Sequence, residues 1–120
     1  MTALVSAFRN SVRGLSLAAR SERAVRQELV LLIVAVPVAG LIAGGLWVRV
    51  ALIAALLLIL AVELLNTAIE KLCDHVTPER HPTIGAVKDL GSAAALAAQG
   101  IALLIWGAAT TEAVMGWLAR

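Results

Sequence analysis

Glu63, Asn66 and Glu70 stand at positions i, i+3 and i+7 of an apolar run covering residues 50–74, VALIAALLLILAVELLNTAIEKLCD. In a helix that spacing puts all three on one face. An ionised side chain at the centre of a bilayer costs about 2.5–3.5 kcal/mol on insertion scales, and less near the interface. In a chain this poor in polar groups, such a face is the first place to look for chemistry. Most of the other acids fall close to the same edge. Glu22 and Glu28 precede the first apolar run, Asp74 and Glu79 follow the second, and Asp89 opens the third beside Lys88; only Glu112 lies elsewhere. Carboxylates converging at one depth suit a hard divalent cation such as Mg²⁺. Acids for a metal and a lysine for phosphate make the minimum kit for phosphoryl transfer from a nucleotide. The competing readings are solvated caps for Glu22, Asp74 and Glu79, and an interhelical hydrogen bond for Asn66.

The elements that must position these groups are all helical. The chain has 120 residues, 61% of them hydrophobic and only 3% aromatic. That is well above the roughly 45–50% apolar usage of soluble domains, and Leu, Ala, Val and Ile supply it. The fold class expected is an all-α membrane protein in one domain, residues 1–120, with an amphipathic surface helix at about 2–20. Three membrane spans are expected at about 29–46, 47–72 and 90–110, each able to cross a hydrocarbon core that needs about 20 residues. Leu4, Phe8, Val12 and Leu15 make an apolar stripe on the surface helix, and Arg9, Arg13 and Arg20 a basic one. Such a helix either lies in the membrane interface or packs on its own protein. Pro37 is a candidate kink in the first span, and Gly44-Gly45 a turn after it.

Charge sets the topology. Of ten Lys and Arg residues, eight fall in segments 1–28 and 71–89. By the positive-inside rule those segments are cytoplasmic. The N-terminus is then inside and the C-terminus outside, as in a multi-pass membrane protein. The first 28 residues hold five arginines and no central apolar block, so no cleavable signal is expected. With no aromatics interleaved among the arginines, nucleic acid is a poor partner and anionic head groups or phosphates a better one. Cys73 is the single cysteine and can form no internal disulfide. His75 and His81 stand off any metal-ligand spacing and read as loop residues. Gln99, deep in the third span, is expected to make an interhelical hydrogen bond. Trp47, Trp106 and Trp117 fit interfacial anchoring.

Small residues mark expected helix contacts: Gly40 with Gly44 in the first span, and Ser92, Ala93, Ala94, Ala95, Ala97, Ala98 and Gly100 in the third. Three short spans enclose a polar site poorly, so a homo-oligomer is expected. No soluble-kinase signature is present: there is no G-x-x-x-x-G-K-[ST], G-x-G-x-x-G or H-R-D.

Three stretches resemble the prokaryotic diacylglycerol kinase family. Residues 21–28, SERAVRQE, resemble its S-E-x-A-F-R-Q-E element; residues 62–70, VELLNTAIE, its V-E-[IL]-[IL]-N-[ST]-A-I-E core; residues 86–94, AVKDLGSAA, its A-K-D-x-[GA]-[SA]-A-A element. The likeness runs in order along nearly the whole chain. It implies a homotrimer with active sites shared between subunits, which transfers the γ-phosphate of ATP to diacylglycerol to give phosphatidic acid. It further implies that Glu63 is the base and that Glu22 and Glu70 hold Mg²⁺. Asn66 would position the base or the lipid. Lys88 and Asp89 would contact ATP, with Asn10, Glu79, Arg80 and His81 near the nucleotide. Ser92, Gln27, Glu28 and Ser11 would line the lipid side.

Some positions depart from the pattern. Val25 replaces the usual Phe, Val12 an aromatic of some members, and Ala3 a basic residue near the nucleotide for which Arg9 is the compensating candidate. Within the family, undecaprenol kinase is the alternative; its members tend to carry A-A-G-A where this chain has Gly91-Ser92-Ala93-Ala94, which favours diacylglycerol. Outside it, a small multidrug-type transporter would need four spans and an acid nearer mid-membrane. A non-catalytic assembly subunit is the third reading.

Overall fold

The computed structural model describes residues 2–120, which form four helices: α1 (Thr2–Ser21), α2 (Arg23–Ile42), α3 (Leu46–Val76) and α4 (Pro82–Leu118). Among the described residues there is no strand. α2, α3 and α4 are each long and apolar enough to cross a membrane. At 1.5 Å per residue, the 31 residues of α3 and the 37 of α4 reach about 46 and 55 Å, beyond the ~30 Å of a hydrocarbon core. The extra turns carry the charged ends, so both helices run past the expected spans of 47–72 and 90–110. α2 starts earlier than expected and ends at Ile42, before the glycine pair.

α3 is the centre of the fold. It packs α2 on one side and α4 on the other, while α2 and α4 hardly meet. Its buried positions Leu52, Ala55, Leu56, Ile59, Leu60, Asn66, Thr67 and Cys73 follow steps of three and four, one stripe of a helix. The facing stripe of α4 is made of small residues, Gly91, Ala98, Ala102 and Ala109. Without Cβ branches between them, the two backbones approach closely, which is how helices gain dispersion contact in lipid. Only Ala98 belongs to the small residues expected to mark this contact. The Gly40/Gly44 pair marks none within this chain, since a Cβ at either would meet nothing within 4 Å. Ala39 does that work in α2, packed with Leu52 and Ala109.

Two polar contacts fix the frame. Trp106 Nε1 donates to the Leu52 carbonyl oxygen at 3.0 Å, so this tryptophan spends its N–H on the second turn of α3, tying α4 to it, rather than on anchoring at an interface. Trp47 and Trp117, 80% and 52% exposed, remain free for that role. At the other end, Glu22 is extended and breaks the chain between α1 and α2. Arg26 Nη1 donates to the Ala19 and Arg20 carbonyls at 2.9 and 3.2 Å. These are carbonyls that the end of α1 leaves without helical partners, so one guanidinium holds the corner. α1 docks through its C-terminal half, with Ala18 and Leu15 against Val25 and Leu60. Leu4, Phe8 and Val12 stay exposed. Pro37 sits inside a continuous α2.

Candidate active site

The polar groups of α3 form a ladder that climbs toward the α3–α4 loop. Glu63 is half-buried, Asn66 buried and Glu70 half-buried. The Asn66 amide Nδ2 reaches Glu70 Oε1 at 3.4 Å, a long hydrogen bond. Asn66 Oδ1 is buried with no partner and faces the bare Cα of Gly91 on α4. Across the α2–α3 seam, Glu28 lies close enough to Glu63 for their charges to interact. Glu28 Oε2 is likewise buried and unpartnered. One acid, Glu28, and one amide, Asn66, therefore present unpartnered acceptor oxygens on the inner faces of α2 and α3.

One turn beyond Glu70, the helices are tied by ion pairs. Lys71 Nζ stands 3.5 Å from Glu22 Oε1, which brings the α1–α2 corner to the level of α3 that carries Glu70. An exposed pair of this kind contributes about 0.2–1 kcal/mol, so its effect is chiefly positional. Lys88 Nζ stands 2.5 Å from Asp74 Oδ1, joining α4 to the last turns of α3. Asp74 continues the ladder at i+4 from Glu70. That spacing and the bond to Lys88 set Asp74 in the line of edge carboxylates rather than as a solvated cap.

The loop end holds a crevice of about 500 Å³, lined among others by Asp74, Glu79, Arg80, His81 and Lys88. His81 caps α4, its Nδ1 accepting from the Thr83 amide at 3.2 Å, with Pro82 at the first helical position. His75 belongs to the last turn of α3, not to the loop. Four of the expected nucleotide contacts, Glu79, Arg80, His81 and Lys88, thus share one crevice. Asp89 and Asn10 do not line it; both are exposed. Of the expected lipid contacts, Glu28 joins Glu63 and Asn66. Ser11, Gln27 and Ser92 are exposed outside this cluster, and the Ser11 hydroxyl donates back to the Ala7 carbonyl at 2.9 Å.

The carboxylates do not converge at one depth. Among the described residues no three of His, Cys, Asp and Glu gather as a metal cage. Antiparallel α2 and α3 distribute them in levels instead: Glu28 with Glu63, Glu22 beside the Glu70 level, then Asp74 with Lys88. Mg²⁺ keeps several waters and takes one or two carboxylates plus substrate phosphates, so the Glu22/Glu70 level fits its donor chemistry without a third protein ligand.

The structure also brings in a residue the sequence reading placed elsewhere. Gln99 is exposed and makes none of the side-chain hydrogen bonds among the described residues. The expected interhelical bond comes from Trp106 instead. Gln99 lines a groove of about 520 Å³ with Glu28, Leu31, Val34, Ile59 and Leu103.

Comparison with known proteins agrees with the resemblance of the three motifs. The family model for prokaryotic diacylglycerol kinase matches residues 9–110. The chain is 42% identical to a diacylglycerol kinase of Pseudomonas aeruginosa, over 86% of this chain and 84% of that one. It is 39% identical to a diacylglycerol kinase of Escherichia coli, over 88% and 86%. It is 34% identical to one of Haemophilus influenzae, over 89% and 91%.

Proposed function

The chain belongs to the prokaryotic diacylglycerol kinase family, and from that premise we propose that it moves the γ-phosphate of ATP to the free hydroxyl of diacylglycerol, giving phosphatidic acid. The reaction takes place at the cytoplasmic surface of the bacterial inner membrane, in a homotrimer whose sites are shared between subunits. The single observation that carries the reading is the ladder Glu63, Asn66, Glu70, Asp74 on α3. It runs from Glu63, whose charge interacts with that of Glu28 on the rim of the apolar groove, to the loop crevice that Asp74 and Lys88 line.

Each group has a task along that line. The acceptor hydroxyl enters from the groove side, where Glu63 accepts its proton. The freed oxygen attacks the γ-phosphorus, the bond to the bridging oxygen breaks, and ADP leaves with the charge. A positioned base of this kind contributes about 10²–10⁴-fold. Asn66 sits between Glu63 and Glu70 and positions the carboxylates of the ladder: its amide is spent on Glu70 and its Oδ1 is packed against Gly91. Lys88 supplies positive charge for the phosphates, with Arg80 and His81 at the same crevice. Glu22 and Glu70 would hold Mg²⁺, which when bound would supply positive charge against the phosphates.

Three apolar helices among the described residues are one short of the transporter alternative. Within the family, Gly91-Ser92-Ala93-Ala94 supports diacylglycerol over a polyprenol. Labelled-ATP transfer in mixed micelles containing diacylglycerol, undecaprenol or neither tests the whole reading. Label is expected in lipid only with an acceptor present, and chiefly with diacylglycerol. Label in undecaprenol instead would reassign the acceptor, and none in either lipid would overturn the kinase reading.

A further inference from the structure

The groove between α2 and α4 is apolar along its length except at its head, where Glu28 and Gln99 stand. Its walls below are Leu31, Val34, Leu103 and Trp106 among others, and it opens toward the surrounding lipid because α2 and α4 hardly touch. Gln99 has no partner there, and an unpaired primary amide in an apolar medium is costly. A volume of about 520 Å³ lies within the ~300–1,000 Å³ of small-molecule sites. An apolar slot with two unsatisfied polar groups at one end matches one ligand shape, a lipid with its polar head at that end.

Depth makes the match specific. Ile59 and Gln99 line the same part of the groove, and Ile59 lies four residues before Glu63 on α3. The register that sets Leu52 against Trp106 and Asn66 against Gly91 puts Ile59 level with Gln99, so along the helix axis Gln99 stands about one turn, ~6 Å, from the base on the side away from the loop. In a diacylglycerol the nearest ester carbonyl follows the free hydroxyl across the glycerol carbons, a comparable span. With the hydroxyl at the level of Glu28 and Glu63, that carbonyl lies at the level of Gln99, and an acyl chain continues between Leu31, Val34 and Leu103. Glutamine can donate to a carbonyl; a polyprenol offers none at that depth.

We propose that Gln99 is a specificity-determining residue for the lipid acceptor: its amide donates to an ester carbonyl of diacylglycerol held in the α2–α4 groove. This rests on the kinase reading above and adds to it the group by which an ester lipid is told from an ester-free alcohol.

The test compares 1,2-diacylglycerol with an ether-linked 1,2-dialkylglycerol of equal chain length, which keeps the hydroxyl and loses both carbonyls. Phosphoryl transfer is measured in mixed micelles for the full chain and for Gln99→Leu and Gln99→Asn. The unaltered protein is expected to prefer the diacyl lipid in kcat/KM by about tenfold, the size of one hydrogen bond to a carbonyl. Gln99→Leu should lose that preference, chiefly through KM for the diacyl lipid, while its rate on the dialkyl lipid holds. Gln99→Asn, which keeps the donor, should retain part of it. An unchanged diacyl/dialkyl ratio in Gln99→Leu, or an equal fall on both lipids, would overturn the proposal while leaving the kinase reading intact. No transfer to either lipid by the unaltered protein would instead sink the kinase reading.

Discussion

Asn66 and Gly91 meet without room between them: a Cβ built on Gly91 would overlap Asn66 Oδ1 and come within 3.3 Å of its Cγ. The glycine is needed for this close approach, not for its backbone angles, since no residue of the described chain has a positive φ. The position of the amide that reaches Glu70 is thus set by a residue on another helix.

Gly91→Ala is therefore expected to push Asn66 off its place. Overpacking of this kind costs about 1–3 kcal/mol, and the Asn66–Glu70 bond is lost with it. Thermal inactivation in detergent should come earlier, and phosphate transfer should fall more than the loss of folded protein explains. Asn66→Ala in the same background should relieve the stability loss without restoring activity. A Gly91→Ala protein with unaltered stability and rate would show that the contact has no consequence.

The helices could be read in the sequence because apolar runs of this length have few alternatives. Their ends could not. The sequence reading stopped α3 near residue 72 and started α4 near 90, since charged residues do not suit a membrane; yet helices continue into water, to Val76 and from Pro82. The face of Glu63, Asn66 and Glu70 followed from spacing alone. The partner of each group did not, because it depends on the register of α3 against α4: Gly91 opposite Asn66, Asp74 opposite Lys88. Gln99 was misplaced for the same reason. Its depth was plain, but whether it faced α3 or the α2–α4 groove depended on which stripe of α4 was buried, and that stripe is set by Gly91, Ala98, Ala102 and Ala109.

Lys88 and Asp74 separate two effects at the loop crevice. Lys88→Ala removes the positive group meant for the phosphates and should raise KM for ATP by about tenfold or more, as expected for a charge-assisted hydrogen bond. Asp74→Asn weakens the hold on Lys88 but leaves its charge, and should change KM for ATP by far less. Equal effects from the two variants would mean that Lys88 acts only through its bond to Asp74.

Metal dependence addresses the Glu22/Glu70 level. Glu22→Gln and Glu70→Gln each remove a hard oxygen charge while keeping shape. In both, the Mg²⁺ concentration for half-maximal rate should rise by about tenfold, with oligomer and helix content unchanged. Because Glu22 also pairs with Lys71, Lys71→Ala serves as the control and should leave the Mg²⁺ titration in place. If neither Gln variant shifts the titration, the metal is held elsewhere.

The central claim is that the ladder on α3 starts at a base, and Glu63→Gln tests it most directly. The substitution keeps size and polarity and removes the proton acceptor. Single-turnover transfer of labelled γ-phosphate to diacylglycerol should fall by about 10²-fold or more, while nucleotide binding, measured on the same protein, stays within a factor of about two. Near-normal transfer by Glu63→Gln would contradict the account.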